Sequence, residues 1–260
     1  MIHLMIFCCL TGSCLGLEVR QAPSEFITDP GGKVHLFCSH DKTDYRVILW
    51  YQRSLGDTAM KLIGYLYFKD VTMEDSYKEG FGISGDLSGN TAKNASLIIK
   101  AVEREHSAVY YCAAREIRPV TKTPPLCSYT EAYFGAGTKL TVLDPKRNIT
   151  APQVAVFPPS PKECQRQKHI NKTLVCVARR FYPDHVTVSW EVDLKVRSAV
   201  VTTDSKALMD GDYYTLSSRL TVPATDWGTA GRNFTCIVSF FDGTQTVTVS
   251  DSVFGEKSTV

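Results

Sequence analysis

Residues 34–53 read VHLFCSHDKTDYRVILWYQR. Val34, Leu36 and Cys38 alternate with His35 and Phe37, a polar stretch typical of a loop follows, and an apolar run then leads to Trp50. Cys112 lies 74 positions after Cys38, within another alternating run. Alternation with period two places one face of a strand in a core and the other in water. The stretch therefore predicts two β-strands joined by a loop, in one domain with the strand of Cys112.

The same order of cysteine, tryptophan and cysteine returns in the second half of the chain. Trp190 follows Cys176 after 14 positions, and Cys236 follows Cys176 after 60. Residues 214–222 also alternate, turn residues punctuate both halves, and no segment carries a long apolar period of 3.6 residues. We therefore predict an all-β fold with two β-sandwiches in tandem.

Length and composition suit this interpretation. The chain has 260 residues, of which 43% are hydrophobic and 22% charged, enough for two soluble domains that each bury a core. The formal net charge is only +2, so no strong basic field is available to attract nucleic acid. Nucleic acid is not expected as a partner.

The N-terminus has the pattern of a secretory signal. An apolar stretch at residues 4–10 is followed by small residues, which predicts a signal peptide over residues 1–17; a buried strand or helix is the alternative. Because no apolar run reaches 18 residues, no transmembrane helix is predicted. We expect the sequence to be a truncated form of an anchored chain, with a naturally secreted form as the alternative.

The polar residues favour a secreted binding protein over an enzyme. Six cysteines remain after the signal, and no Cys-x-x-Cys pair supports zinc. The six histidines share no ligand spacing, and neither a nucleophile elbow nor a phosphate loop is present, so we predict no catalytic residues, metal or cofactor. Four Asn-x-Ser/Thr sequons are candidate glycosylation sites: Asn94, Asn148, Asn171 and Asn233.

Several longer motifs resemble antigen-receptor chains. Residues 50–52 (WYQ) and 110–112 (YYC) resemble strands C and F of a variable immunoglobulin domain, and residues 134–143 (FGAGTKLTVL) resemble a joining segment on strand G. Residues 156–160 (VFPPS) and 181–186 (FYPDHV) resemble a constant domain. The resemblance implies a V-type domain over residues 18–143 and a C1-type domain over residues 144–260.

This resemblance also implies how the repeated frame is used. In such domains a disulfide joins the two sheets and a tryptophan packs against it. We therefore expect disulfides Cys38–Cys112 and Cys176–Cys236, with Trp50 and Trp190 as core tryptophans. Gly135 and Gly137 are expected to form a bulge in the last strand, and the resemblance suggests a cis bond between Tyr182 and Pro183.

Two receptor families compete, the T-cell receptor β chain and the immunoglobulin light chain. Residues 181–186 and 217–220 resemble the β constant region, and Phe234 stands where light chains usually carry tyrosine. The short turn near residues 240–244 resembles β chains of non-mammalian vertebrates such as bony fish. An immunoglobulin light chain paired with a heavy chain, or a two-domain adhesion protein, remains the alternative.

Membership of the β-chain family implies a function and partners. The chain would pair with a T-cell receptor α chain, bind a peptide presented by a major histocompatibility molecule, and join the invariant signalling chains of the receptor complex. It would travel through the secretory pathway to the plasma membrane. We expect the connecting peptide and the membrane helix of this family to be missing from this sequence through truncation.

Three loops are expected to meet antigen, near residues 39–47, 65–72 and 113–133. Tyrosine gives a large contact area at low entropic cost, and the third loop is basic and restricted by prolines, so we hypothesise a stiffened cationic antigen loop. The candidate contact residues are Tyr45, Tyr67, Arg115, Arg118, Lys122 and Tyr129.

The face that would meet the α chain follows from alternation around Trp50. If Trp50 points inward, its neighbours point outward, and the candidates for this face are Tyr51, Arg53, Tyr111 and Phe134. Cys127 and Cys164 fall near opposite ends of a variable–constant chain, too far apart for a disulfide. We expect each to be free or paired outside this chain.

Overall fold

The computed structural model describes residues 17–117, 131–165, 170–197 and 200–256. Several predictions lie outside the described residues: most of the signal peptide, the side chain of Cys164, and Arg118, Lys122, Cys127 and Tyr129. The described residues form two compact units.

The first domain consists of short antiparallel strands. Its strands are β1 (Arg20–Ala22), β2 (Glu25–Thr28), β3 (Val34–His40), β4 (Val47–Ser54), β5 (Lys61–Tyr67), β6 (Asp70–Met73), β7 (Phe81–Asp86), β8 (Lys93–Ile99), β9 (Ala108–Arg115), β10 (Ala132–Phe134) and β11 (Thr138–Val142). Short 3-10 helices lie at Asp75–Tyr77 and Arg104–His106. One sheet has the order β1-β3-β8-β7, and the other has the order β2-β11-β9-β4-β5-β6, with β10 also paired to β9.

The second domain repeats the two-sheet plan. Its elements are β12 (Gln153–Phe157), α1 (Pro161–Gln165), β13 (Asn171–Phe181), β14 (Val186–Val192), β15 (Lys195–Arg197), β16 (Val201–Thr203), β17 (Leu208–Asp210), β18 (Tyr213–Pro223), α2 (Ala224–Trp227), β19 (Asn233–Phe241) and β20 (Thr246–Phe254). The sheets have the orders β12-β13-β18-β16, with β17 also on β18, and β15-β14-β19-β20. The predicted all-β fold with two sandwiches in tandem is confirmed.

Each core is built around a disulfide between the two sheets. Cys38 on β3 is bonded to Cys112 on β9, with 6.3 Å between their Cα atoms. Cys176 on β13 is bonded to Cys236 on β19, with 6.2 Å between their Cα atoms. Trp50 is on β4, directly opposite Cys112, and its side chain is fully buried.

Trp190 has the same place in the second domain, opposite Cys236 and fully buried. Alternating inward residues of β13 and β18, among them Leu174, Leu220 and Val222, complete this core. The Tyr182–Pro183 bond is cis as predicted, and Ala22–Pro23 is a second cis bond that the sequence analysis did not anticipate.

Candidate functional site

The last strand of the first domain contains the bulge that its glycines suggest. Phe134 on β10 lies opposite Ala113, and Thr138 on β11 lies opposite Tyr110. Thr138 comes four residues after Phe134, whereas their partners on β9 are only three residues apart. One extra residue on one strand is a β-bulge. Gly137 has φ +93°, and a Cβ there would lie 2.7 Å from a ring carbon of Tyr111, so only glycine fits without displacing that ring.

A glutamine from β1 holds the inner side of this bulge. The Gln21 Nε2 donates to the carbonyl oxygen of Tyr110 at 2.7 Å and to Thr138 Oγ1 at 3.1 Å. The Gln21 Oε1 accepts from the backbone N–H of Cys112 at 3.1 Å. Gln21 is not among the residues predicted from the sequence, because only the pairing of β1 with the strand of Cys38 brings it beside the bulge.

The four predicted pairing residues lie together on the outer face of the larger sheet. Tyr51 and Tyr111 are direct cross-strand partners on β4 and β9. The rings of Tyr51 and Phe134 lie 5.7 Å apart, and the guanidinium carbon of Arg53 lies 5.2 Å from the ring centre of Tyr111. We call these four residues the aromatic face.

The aromatic face is open to contact. The side chain of Phe134 is 49% exposed, and Tyr51, Arg53 and Tyr111 are half-buried. Because Gly137 has no side chain, the ring of Tyr111 can lie close over the backbone of the bulge. The arrangement presents three aromatic rings and one cation, residue types enriched at protein–protein interfaces.

The candidate contact residues that the structure describes gather at one end of the domain. Val47, the first residue of β4, lies opposite both Tyr67 and Arg115, so the loops beside these residues leave the sheet at one edge. Tyr67 is 42% exposed and Arg115 is exposed. Tyr45 is half-buried and packs against Tyr133, with ring centres 5.8 Å apart. We call this edge the loop end.

The second predicted contact loop is shorter than expected. Residues 65–72 were expected to form a loop, but β5 extends to Tyr67 and β6 begins at Asp70. Tyr65 is paired with Thr72 inside this hairpin. The predicted extent was wrong because these residues pair across the strands up to a two-residue turn, where Phe68 adopts a positive φ of 53°.

A further loop, residues 87–92, is bound to the loop end, and the sequence analysis missed it. The Arg46 Nη1 donates to the carbonyl oxygens of Leu87, Ser88 and Gly89 at 3.0, 2.6 and 3.2 Å. The guanidinium carbon also lies 5.2 Å from the ring centre of Phe68. One arginine thus joins the turn of the β5–β6 hairpin to this loop.

Lys93 supports the same loop from inside. Its side chain is fully buried, and its Nζ donates to the carbonyl oxygens of Leu87 and Gly89. Burial lowers the pKa of Lys93. A signal was present in the sequence, since Lys93 occupies an inward position of the run that continues with Ala95 and Leu97.

His40 is on β3, directly opposite Lys93 on β8, and it is also buried, with 4% of its surface exposed. Burial, reinforced by the charge of Lys93, lowers the pKa of His40 to about 4. Its Nδ1 accepts from the backbone N–H of Lys42 at 3.3 Å, whereas its Nε2 has no hydrogen-bond partner among the described residues. This histidine is therefore neutral in the folded domain at neutral pH.

The four sequons occupy different environments. Asn94, Asn148 and Asn171 are exposed, and Asn233 is half-buried at the start of β19. Within the described ranges, no three side chains of the metal-ligating types come together. No helix in the described part of the chain has both the length and the apolar character needed to cross a bilayer.

Each of the two domains matches its own protein-family model. The Immunoglobulin V-set domain matches residues 21–143, and the Immunoglobulin C1-set domain matches residues 154–241. A crystal structure of a chicken TCR superposes with a TM-score of 0.70 and 29% sequence identity, covering 92% of this chain and 100% of that one.

Two similar proteins are a T-cell receptor β chain region and a viral β-chain-like protein. A viral T-cell receptor beta chain-like protein of feline leukemia virus is 31% identical over 246 residues, which cover 90% of this chain and 72% of that protein. The C region of the T-cell receptor beta-2 chain of Mus musculus is 45% identical over 95 residues, which are 36% of this chain and 54% of that region. The matched segment thus spans about half the length of this constant-region relative. The order of a V-set domain before a C1-set domain, together with these relatives, places this chain in the T-cell receptor β-chain family.

Proposed function

We propose that the chain recognises antigen as the β subunit of an αβ T-cell receptor. It pairs with an α chain through the aromatic face and contacts a peptide presented by a major histocompatibility molecule through the loop end. The observation that carries the proposal is that one domain holds these two surfaces on different sides, one on the face of a sheet and one at its edge. The function is binding, without catalysis.

The aromatic face supports pairing. Phe134 is half exposed and lies against Tyr51, so a partner would remove two large rings from water. Aromatic side chains bury about 150–250 Å² each and dominate interface energetics. Arg53 is held over the ring of Tyr111 and presents one cation beside these rings.

The loop end supports antigen contact. Tyr67 is exposed beside a two-residue turn, and Arg115 is exposed at the end of β9. Tyr45 is held in place by Tyr133 and His40, so its ordering cost is met before any ligand binds. Arg118, Lys122 and Tyr129 are proposed to extend this surface, and the two cations would suit acidic groups on the ligand.

The constant-type domain supports a second contact with the α chain. Most outward positions of β13 and β18 carry neutral, half-buried residues, and the exception near the centre is Arg219, opposite Val175; the neutral residues are Thr173, Val175, Val177, Thr215, Ser217 and Thr221. Arg219 is already paired with Asp204 at 3.1 Å, so the face presents no lone charge to a partner. In this proposal both domains lie outside the cell, and the receptor's invariant signalling chains join the heterodimer.

Co-purification tests the pairing. The full chain, expressed in T cells of the source species that lack their own β chain, is expected to recover the α chain. Phe134→Ser should reduce the recovered heterodimer about tenfold or more, because a buried aromatic anchor is lost. Val196→Ser is the control, since Val196 is an exposed apolar residue on β15. Recovery of a heavy chain, or equal recovery with both variants, would contradict the proposal.

Antigen contact is tested in a T-cell clone that uses this chain. Tyr67→Ala and Arg115→Ala should weaken the response to its own antigen-presenting cells while the amount of surface heterodimer stays constant. Loss of the heterodimer in these variants would instead assign both residues to pairing.

A further inference from the structure

An exposed phenylalanine lies on the outer face of the smaller sheet of the first domain. Phe37 is 53% exposed although β3 runs between β1 and β8 in the sheet. The residues directly across from it are both small, Ala22 on β1 and Ser96 on β8. His35 covers one side, with ring centres 6.4 Å apart and stacked. The rest of the ring therefore faces water.

The sequon Asn94-Ala95-Ser96 begins next to this ring. Asn94 is exposed and lies two residues before Ser96 on the same face of β8. Because Ser96 is opposite Phe37, Asn94 is a diagonal neighbour of Phe37 across the strands. Diagonal neighbours on one face are about 7–8 Å apart, within reach of aromatic and long side chains.

The second domain repeats this placement. Asn233 begins the sequon Asn233-Phe234-Thr235, and its direct cross-strand partner on β20 is Phe254. Phe254 is 59% exposed. Direct partners project to one face with their Cβ atoms about 4.5–5.5 Å apart. In each domain, a sequon therefore shares a sheet face with an exposed phenylalanine.

The other two sequons lack this neighbour. Asn171 is paired with Pro223, and Asn148 lies in the segment between the two domains, outside the strands. Among the described strand pairs, neither has an exposed aromatic residue across from it. The chain thus supplies two candidate sites and two internal controls.

We propose that Asn94 and Asn233 carry N-linked glycans whose innermost sugars lie on the rings of Phe37 and Phe254. The donor is an oligosaccharide linked to a polyprenyl diphosphate. A bond forms between the asparagine Nδ2 and the sugar C1, the bond from C1 to the phosphate oxygen breaks, the amide loses one proton, and the polyprenyl diphosphate leaves. No oxidant or reductant is needed.

The geometry at Asn94 is compatible with this modification. The Asn94 Nδ2 donates one hydrogen to the carbonyl oxygen of Ala92 at 3.1 Å. A glycosylated asparagine keeps one amide hydrogen, so this bond can remain while the sugar occupies the other position. The bond also orients the carboxamide before any sugar is attached.

A sugar is well suited to cover these rings. One face of a pyranose presents C–H groups with partial positive charge, which are attracted to the negative face of an aromatic ring. Its hydroxyl groups remain in water, so the exposed apolar area falls without a protein partner. Each sugar would be attached to an asparagine on the same sheet face as the ring, so covering the ring needs no second copy of the chain.

Occupancy is the first test. The full chain is produced in vertebrate cells, digested, and treated with peptide N-glycosidase in water enriched in oxygen-18, so that each occupied asparagine becomes a labelled aspartate. Label is expected at Asn94 and Asn233. An unlabelled peptide at either position overturns the assignment of that site.

Contact with the ring is the second test. Removal of all glycans should lower the melting temperature of the parent by about 3 °C, and by less than about 1 °C in the double variant Phe37→Ser/Phe254→Ser. Phe37→Tyr keeps a ring and should retain its share of the shift. Protons of the innermost sugar at Asn94 should appear upfield in NMR spectra of the parent and lose that displacement in Phe37→Ser.

The controls separate stacking from a general effect of glycans. Asn148→Gln and Asn171→Gln should leave the difference between the parent and the double variant unchanged. An equal melting shift in the parent and the double variant, or sugar protons that do not respond to Phe37→Ser, overturns the proposed contact.

Discussion

The two domains share one frame, yet they fill it with different chemistry beside the disulfide. In the constant-type domain, the inward residue two positions after the first cysteine is Ala178, and its cross-strand partner is Leu216. In the variable-type domain the same two positions hold His40 and Lys93, both buried. An apolar pair in one domain thus corresponds to two ionisable groups in the other.

The inward positions near the tryptophan show the same contrast between an apolar pair and a polar pair. Val192 lies two residues after Trp190, and Phe234 lies two residues before Cys236; both are buried and apolar. Their counterparts in the variable-type domain are Gln52 and Tyr110. The Gln52 Nε2 donates to the hydroxyl of Tyr110 at 3.2 Å, and burial raises the pKa of that hydroxyl.

The two tryptophans differ as well. The indole N–H of Trp190 donates to Ser218 Oγ at 3.0 Å, and Ser218 lies opposite Cys176. The counterpart of Ser218 opposite Cys38 is Ala95, and the indole N–H of Trp50 has no hydrogen-bond acceptor within the described part of the chain. The constant-type domain therefore satisfies a buried donor that the variable-type domain leaves unpaired.

This difference shows what each domain requires of its core. Lys93 is buried and holds the carbonyl oxygens of residues 87 and 89 beside the loop end. Buried polar groups lower stability unless they are fully bonded. Beside its disulfide the variable-type domain thus uses buried polar groups to fix a loop, whereas the constant-type domain places such a group elsewhere, at Lys172, whose Nζ donates to the carbonyl oxygen of Glu163 at 2.7 Å.

The largest expected effect concerns what the domains have in common. The disulfides close similar loops, with sequence separations of 74 and 60 residues. Replacing either pair by alanine should therefore lower the free energy of unfolding of its own domain by about 4 kcal/mol. Denaturant titration of Cys38→Ala/Cys112→Ala and of Cys176→Ala/Cys236→Ala measures both. Costs that differ by more than about 2 kcal/mol would show that packing, and not loop closure, controls the frame.

The next effect is smaller and concerns how the stability of the variable-type domain depends on pH through His40. Because the pKa of His40 is about 4 in the folded state and 6.5 ordinarily, the unfolded chain takes up the proton first on acidification. The stability due to neutral His40 is complete above pH 6.5 and is lost as the pH falls towards 4. Unfolding of the variable-type domain should cost about 2 kcal/mol less at pH 5 than at pH 7.

His40→Gln tests this prediction because glutamine does not titrate. The variant should lose that part of the pH dependence when urea unfolding is followed at both pH values. An unchanged loss of stability in His40→Gln would assign the acid sensitivity to other groups.

The smallest effect concerns the indole N–H groups. Ser218→Ala should destabilise the constant-type domain by about 1–2 kcal/mol, because the buried N–H of Trp190 loses its acceptor. Ala95→Ser places a hydroxyl at the corresponding position near Trp50 and should stabilise the variable-type domain by up to about 1 kcal/mol. Thermal unfolding measures both variants. Destabilisation by Ala95→Ser would mean that this core has no room for one more oxygen atom.

The position of several site residues followed from the sequence because alternation is a local property. Tyr51 and Arg53 flank Gln52 beside an inward Trp50, and the structure places both on the outer face. The hairpin at residues 65–72 was misjudged because the strength of pairing between β5 and β6 depends on neighbours across the sheet. A single strand does not encode that information.

The frame of this protein can be read from its amino acids alone. The spacing of cysteines and tryptophans, the period-two alternation and the glycines of the last strand are properties of adjacent residues, and the backbone converts them directly into strands and a bulge. Which polar groups are buried and which apolar groups are exposed depends instead on the assembled sheets. Lys93 is buried because its place on β8 faces the core opposite His40 on β3, and Phe37 is exposed because its neighbours on both adjacent strands are small. Both outcomes depend on residues that meet only after the sheets have formed.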